Sequence, residues 1–147
     1  MDATHAAVHA TADFFAAVSE AMQDEINRSA RSSMAFLAFL YGSTLQASEH
    51  HRVTGKGPGV FAEAMNVLGF SDGEAEKLAT FCLSLHQGKN PWQPAVERGS
   101  KGYLYWANGS EVKALELLSE TLSQAPRIDR TAAPKGSLAR EVVAMFD

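Results

Sequence analysis

The sequence predicts an all-α fold: one compact bundle of six or seven helices spanning residues 1–147 as a single domain. Three observations predict it. Strong helix formers (Ala, Leu, Met, Glu, Gln) run through the chain. No segment alternates apolar and polar residues with the period of two that a half-buried strand needs. Apolar residues recur instead at three- and four-residue spacing, in stretches bounded by short clusters of Gly, Pro, Asn and Ser. With 46% hydrophobic and 20% charged residues, the 147-residue chain has the composition of a folded protein and the size of one core.

The first helix is expected from about Ala3 to Arg28. Val8, Phe14, Phe15, Val18, Met22 and Ile26 share one broad face, and Asp13, Glu20, Asp24 and Glu25 lie away from it. The second is expected from about Arg31 to His51. It carries Met34, Phe36, Leu37, Phe39, Leu40, Tyr41 and Leu45, is apolar on more than one side, and belongs at the centre of the bundle. VTGKGPG then interrupts the chain, because its glycines and proline extend a helix poorly. Pro58 suits the first turn of a third helix to Leu68, where its missing N–H costs nothing. That helix should bury Val60, Phe61, Ala64, Met65 and Leu68, and Gly69 should stop it. Ser71 and Glu74 form the S-x-x-E capping pattern that starts a fourth helix, Asp72 to Gln87, with Gly88 at its end. The turn Gly69–Phe70–Ser71 makes these two helices a tight hairpin.

KNPWQP is a turn, and a further helix covers about Pro94 to Ala107 with Val96, Gly99, Tyr103 and Trp106 on one side. Gly99 and Gly102 weaken a helix in isolation, so a close approach of another helix is the expected reason for them. Asn108 and Gly109 break the chain and Ser110 caps the next helix, Glu111 to Gln124, in which Val112, Leu115, Leu118 and Leu122 recur at helical spacing. After the polar connection PRIDRTAAPKG, Ser137 starts a last helix through Phe146 with Leu138, Val142 and Met145 inward.

Charge and cysteine content exclude several classes. A net charge of −4 with no run of basic residues argues against a nucleic-acid partner, which requires a basic stripe against phosphates. It favours encounter with a basic partner. One cysteine permits no intramolecular disulfide and no multi-cysteine zinc site. Cys82 lies in the apolar run LATFCLSL and reads as a buried, inert thiol, although His86 follows four residues later on the same side. No 18-residue apolar run and no secretory signal is present, so the expected location is cytoplasmic and no membrane partner is expected.

The unusual residues gather between Glu49 and Trp106, close to the chain breaks, where a rigid scaffold displays its binding groups. His5, His9 and Asp13 stack at four-residue spacing on the first helix, a spacing that can chelate a metal but that equally describes a solvated face. Glu49, His50 and His51 end the second helix. Successive residues diverge by about 100°, so the three cannot share one metal, and the macrodipole favours cations there. GKGPG lacks the strand and the Lys-Ser/Thr pair of a phosphate loop, yet Lys56 and glycine amides before a helix can hold an anion. Trp92 sits in PWQP and either seals the core or anchors a partner. Tyr105 and Trp106 point in different directions from Tyr103, so at least one ring should be partly exposed. The expected partner-binding surface is therefore Glu49, His50, Lys56, Trp92 and Tyr105, with no catalytic residue, metal or cofactor. The acidic residues Glu20 and Asp24 are the rival surface.

The run GKGPGVFAEAMNVLGFSDGEAEKLATFCLSLHQGKNPWQP, continuing through VERGSKGYLYWANG, resembles small all-helical immunity proteins encoded beside polymorphic toxins of interbacterial competition. The resemblance covers about Leu40 to Trp106 and rests on texture and punctuation. It implies a cytoplasmic protein that binds and neutralises one cognate toxin domain without catalysis of its own. Two other readings stand beside it. One is a helical adaptor or small-molecule-binding domain; the other is a small histidine- or metal-dependent hydrolase using Glu49, His50 and His51. A hydrolase requires a pocket with convergent titratable groups, and an inhibitor requires a broad surface with exposed aromatics.

Overall fold

The computed structural model describes residues 2–53, 56–86 and 91–125, without the side chains of residues 85 and 86. Among them are seven helices and no strand: α1 (Ala3–Ala21), α2 (Gln23–Ile26), α3 (Ala30–His50), α4 (Gly57–Val67), α5 (Asp72–His86), α6 (Gln93–Ala107) and α7 (Glu111–Ser123). The fold is all-α, as the periodicity predicts. The expected helix from Ser137 and the loop tips at Gly55 and Gly88 lie outside the described residues. No described helix is long and apolar enough to cross a membrane.

The helix starts follow local chemistry. Asp2 caps α1 by accepting from the His5 amide at 2.7 Å, and Ser29 caps α3 by accepting from the Ser32 amide at 3.1 Å. The capping box before α5 is complete: Glu74 accepts from the Ser71 amide at 3.0 Å, and Ser71 Oγ accepts from the Glu74 amide at 3.3 Å. These bonds hold the Glu74 carboxyl below its usual range. Gly69 and Gly109 stop α4 and α6 in the left-handed region, at φ 104° and 86°. In both turns the second amide past the helix returns to a carbonyl of the last turn, Phe70 to Met65 and Ser110 to Tyr105.

The single long helix expected to reach Arg28 is instead two. Met22 leaves helical geometry at φ −130°, ψ 29°, and α2 turns Ile26 into the core, where the buried Ser33 hydroxyl donates to the Ile26 carbonyl at 3.0 Å. Apolar spacing runs in phase through Met22 and Ile26, so periodicity alone could not show the break.

Helix α3 touches every other described helix and lies at the centre, as expected from its apolar circumference. Its largest interface is with α6. A Cβ on Gly42 would overlap the Val96 carbonyl oxygen, and one on Gly99 would overlap the Phe39 carbonyl oxygen. The two backbones therefore meet directly and reciprocally. Gly102 makes room for the Phe39 ring, and Ser100 Oγ donates to the Gly42 carbonyl at 2.9 Å. This is the close approach that Gly99 and Gly102 predict. Adjacent phenylalanines on α1 tie two sides of the core together. Phe14 meets Phe39, Tyr103 and Trp106, while Phe15 meets Phe61, which also meets Tyr41.

Three inward assignments are corrected. Phe36 is only half-buried, Leu68 is 38% exposed and Val112 is 69% exposed. Phe36 packs against the core at one edge and looks onto a cleft, while Leu68 lies just past the end of α4 and Val112 in the first turn of α7.

Candidate functional site

Helix α3 ends in the same return geometry as α4 and α6, with one difference. The Val53 amide donates to the Ser48 carbonyl at 2.7 Å and the Arg52 amide to the Glu49 carbonyl at 3.0 Å. The left-handed position is Arg52, at φ 60°, the one described non-glycine residue with positive φ. That conformation costs a side chain about 1–2 kcal/mol. It is held because Val53 inserts into a small apolar cluster with Ala7, Val8 and Val60. Glu49, His50 and Arg52 are thereby presented to solvent on a firmly determined turn.

His50 is the outer end of an aromatic series. Its ring lies 5.1 Å from that of His51 and 6.4 Å from that of Tyr103, edge to face in both cases. Tyr103 is buried and continues inward to Phe14 at 5.8 Å and Trp106 at 6.0 Å. The hydroxyl of Tyr103 is held above its usual ionisation range by burial.

The five residues expected to form one patch stand at the C-terminal end of α3, the N-terminal end of α4 and the two ends of α6. Glu49 and His50 lie together at the end of α3, against the Tyr103 edge. Lys56 is exposed at the start of α4, where no side chain caps the helix. Trp92 precedes α6, half-buried and packed against the core, which is the sealing alternative. Tyr105 lies thirteen positions further on the same helix, roughly 20 Å along its axis. It also points about 200° around the helix from Tyr103. Its ring, 39% exposed, carries the Lys113 ammonium at 5.4 Å, and Leu104 and Val112 are exposed at the same end of the α6–α7 pair. Sequence reasoning missed Leu104 and Val112 because both sit in apolar helical patterns. Their position beside the Asn108–Gly109 break was the available signal.

The His5 and His9 rings approach to 4.2 Å, but no three His, Cys, Asp or Glu side chains among the described residues converge on one point. Cys82 is fully buried, with Sγ 4.0 Å from the Leu37 carbonyl, and burial pushes its thiol well above the usual range. The His86 side chain lies outside the described residues. Tyr41 is pushed up to about 12, chiefly by burial and further by Cys82.

A cleft of about 480 Å³ opens where α1 breaks, between α1, α2, α3, α4 and α5. Phe36, Leu37, Leu40, Met65 and Leu78 form its apolar floor, and among the described residues Glu20 is the one charged residue lining it. Of the two residues of the rival acidic surface, Glu20 lines this cleft, and Asp24 is exposed outside its lining. Comparison of the chain with models of protein families, with curated proteins and with solved structures finds no match in any of the three.

Proposed function

We propose that this chain is a binding protein that neutralises a cognate toxin domain by occupying its surface, acting in the cytoplasm and without catalysis of its own. The observation that carries the reading is the exposed apolar group Leu104, Tyr105 and Val112, framed by Lys113 at the α6–α7 end. Exposed aromatic and aliphatic side chains on a rigid element are what interface anchors are made of. Here the element is rigid because α6 is seated backbone to backbone on α3. The resemblance of residues 40–106 to immunity proteins supplies the class of partner. The net charge of −4 supports a basic one. Glu49 and His50 form a second polar contact zone, and Lys56 pairs with an acidic rim.

The test is co-expression with the product of the adjacent toxin gene, scoring protection of the host. Tyr105→Ala should weaken the complex by at least about 2 kcal/mol, roughly thirtyfold, if the ring is an anchor. Trp92→Ala measures the role of the more buried ring. Full protection by Tyr105→Ala, together with loss of protection in a folded Glu20→Lys, Asp24→Lys double variant, would move the surface to α1 and α2. Failure of the unaltered protein to protect would remove the toxin reading itself.

A further inference from the structure

The cleft at the α1–α2 break is left unused by the toxin reading. We infer that it takes an amphipathic small molecule with a linear apolar body and a cationic, amine-type head. Its volume of about 480 Å³ falls within the ~300–1,000 Å³ of cavities that enclose small ligands. The lining is divided by chemistry. Phe36, Leu40 and Met65 contribute to an apolar floor, while Ser19, Glu20, Gln23 and Asn27 stand together along the α1–α2 side.

Those four polar side chains are unengaged. Many serines and threonines elsewhere in the bundle turn their hydroxyls onto a helix carbonyl, as Ser33, Ser43, Thr44, Ser84 and Thr121 do. Ser19, Glu20, Gln23 and Asn27 make no side-chain hydrogen bond or ion pair among the described residues. They therefore present a carboxylate, two amides and a hydroxyl to whatever enters. Among the described residues no basic side chain lines the cleft, so an anionic head would meet Glu20 without compensation, whereas an ammonium would find both charge and acceptors. Two features keep the cavity open. The chain bends at Met22, and Ala16 and Ser19, on the α1 wall, are too small to fill it.

Three probes with one tail separate the terms: decylammonium, decanol and decanoate, each below its aggregation threshold, displacing the neutral fluorophore N-phenyl-1-naphthylamine. The ammonium should bind about fivefold or more tightly than the carboxylate, because a solvent-accessible ion pair contributes modestly and the like-charge contact opposes binding by a similar amount. Decanol should fall between them. Glu20→Gln should bring all three within about twofold of one another while leaving decanol binding unchanged. Ala16→Trp, and separately Ser19→Trp, should abolish binding of all three with helical circular dichroism retained. Equal affinity for ammonium and carboxylate overturns the assignment of the head. Binding that survives in both folded Trp variants, or no binding by any probe, overturns the site. Protection from a toxin plays no part in these readouts, so this inference and the toxin reading can fail separately.

Discussion

At Arg52 the chain adopts a conformation that glycine would hold freely, and the consequence is measurable. The turn after α3 is the same hydrogen-bonded return that Gly69 and Gly109 make after α4 and α6. Only the residue differs. Arg52→Gly removes a left-handed penalty of about 1–2 kcal/mol and adds back about 0.5–1 kcal/mol of backbone entropy, so it should stabilise the fold by roughly 0.5–1 kcal/mol. The check is the urea midpoint. A lower midpoint would mean that the Arg52 side chain contributes more than its backbone conformation costs. Strain of this kind beside Glu49 and His50 is typical of residues kept for what they present rather than for stability. The same scale holds the clearest limit of sequence reading. Tyr103 and Tyr105 are two positions apart, and both were legible as aromatics near a break. Which of them meets His50 depends on the rotation of α6 about its axis, and that is set by Gly99 and Gly102 against Phe39.

Among the elements, the α3–α6 pair dominates the packing. Helix propensity alone would call Gly42 and Gly99 weak points, each about 1 kcal/mol worse than Ala. Packing reverses that ranking. A Cβ at either position would overlap a backbone carbonyl that cannot step aside, so α3 and α6 would have to separate. Gly99→Ala should therefore cost at least about 3 kcal/mol, at or beyond the upper end of ordinary overpacking. Gly59 in α4 has nothing within 4 Å of its Cβ position. Gly59→Ala should be neutral to stabilising by up to about 1 kcal/mol. Thermal midpoints of the two variants make the comparison, and similar values would show that the backbone contact is not what holds these helices. Gly42, Gly99 and Gly102 also explain how a helix with two glycines persists: the tertiary contact supplies more than propensity withholds.

For the whole molecule, burial of acidic protons predicts how the fold fails at high pH. Tyr41 is raised from 10.0 to about 12. Tyr103 is raised from 10.0, and Cys82 lies well above 9.0. Desolvation is the leading cause in each case. These groups ionise at lower pH in the unfolded chain than in the folded one, so the folded state binds more protons in between. Their contribution is fully present below the unfolded values. It is lost as pH rises from about 9 for the thiol and 10 for the phenols toward 12. The urea midpoint should be level from neutrality to about pH 9 and fall beyond it. Tyr41→Phe should flatten the part of that fall above pH 10. A midpoint that stays constant to pH 11 would contradict the burial of Tyr41 and Cys82.

Five of the seven described helices, α3 to α7, were readable one by one because their causes are local. Ser71 and Glu74 start α5 through their own backbone amides, Gly69 and Gly109 stop helices because they accept positive φ, and Pro58 fits a first turn wherever it is placed. The composition also placed α3 at the centre, since a helix apolar all round has no face to give to water. What stayed illegible depends on which faces meet. The break at Met22 lies in phase with the apolar pattern on either side of it and exists because Ser33 and the core hold Ile26. Phe36, Leu68 and Val112 have the composition of core residues, yet Phe36 is only half-buried and Leu68 and Val112 are exposed. The cleft beside Glu20 has no sequence signature at all, because a cavity is the space that α1, α2, α3, α4 and α5 leave between them. Periodicity reports the face that each helix turns inward; it carries no information about how completely the other helices fill the volume that face looks onto.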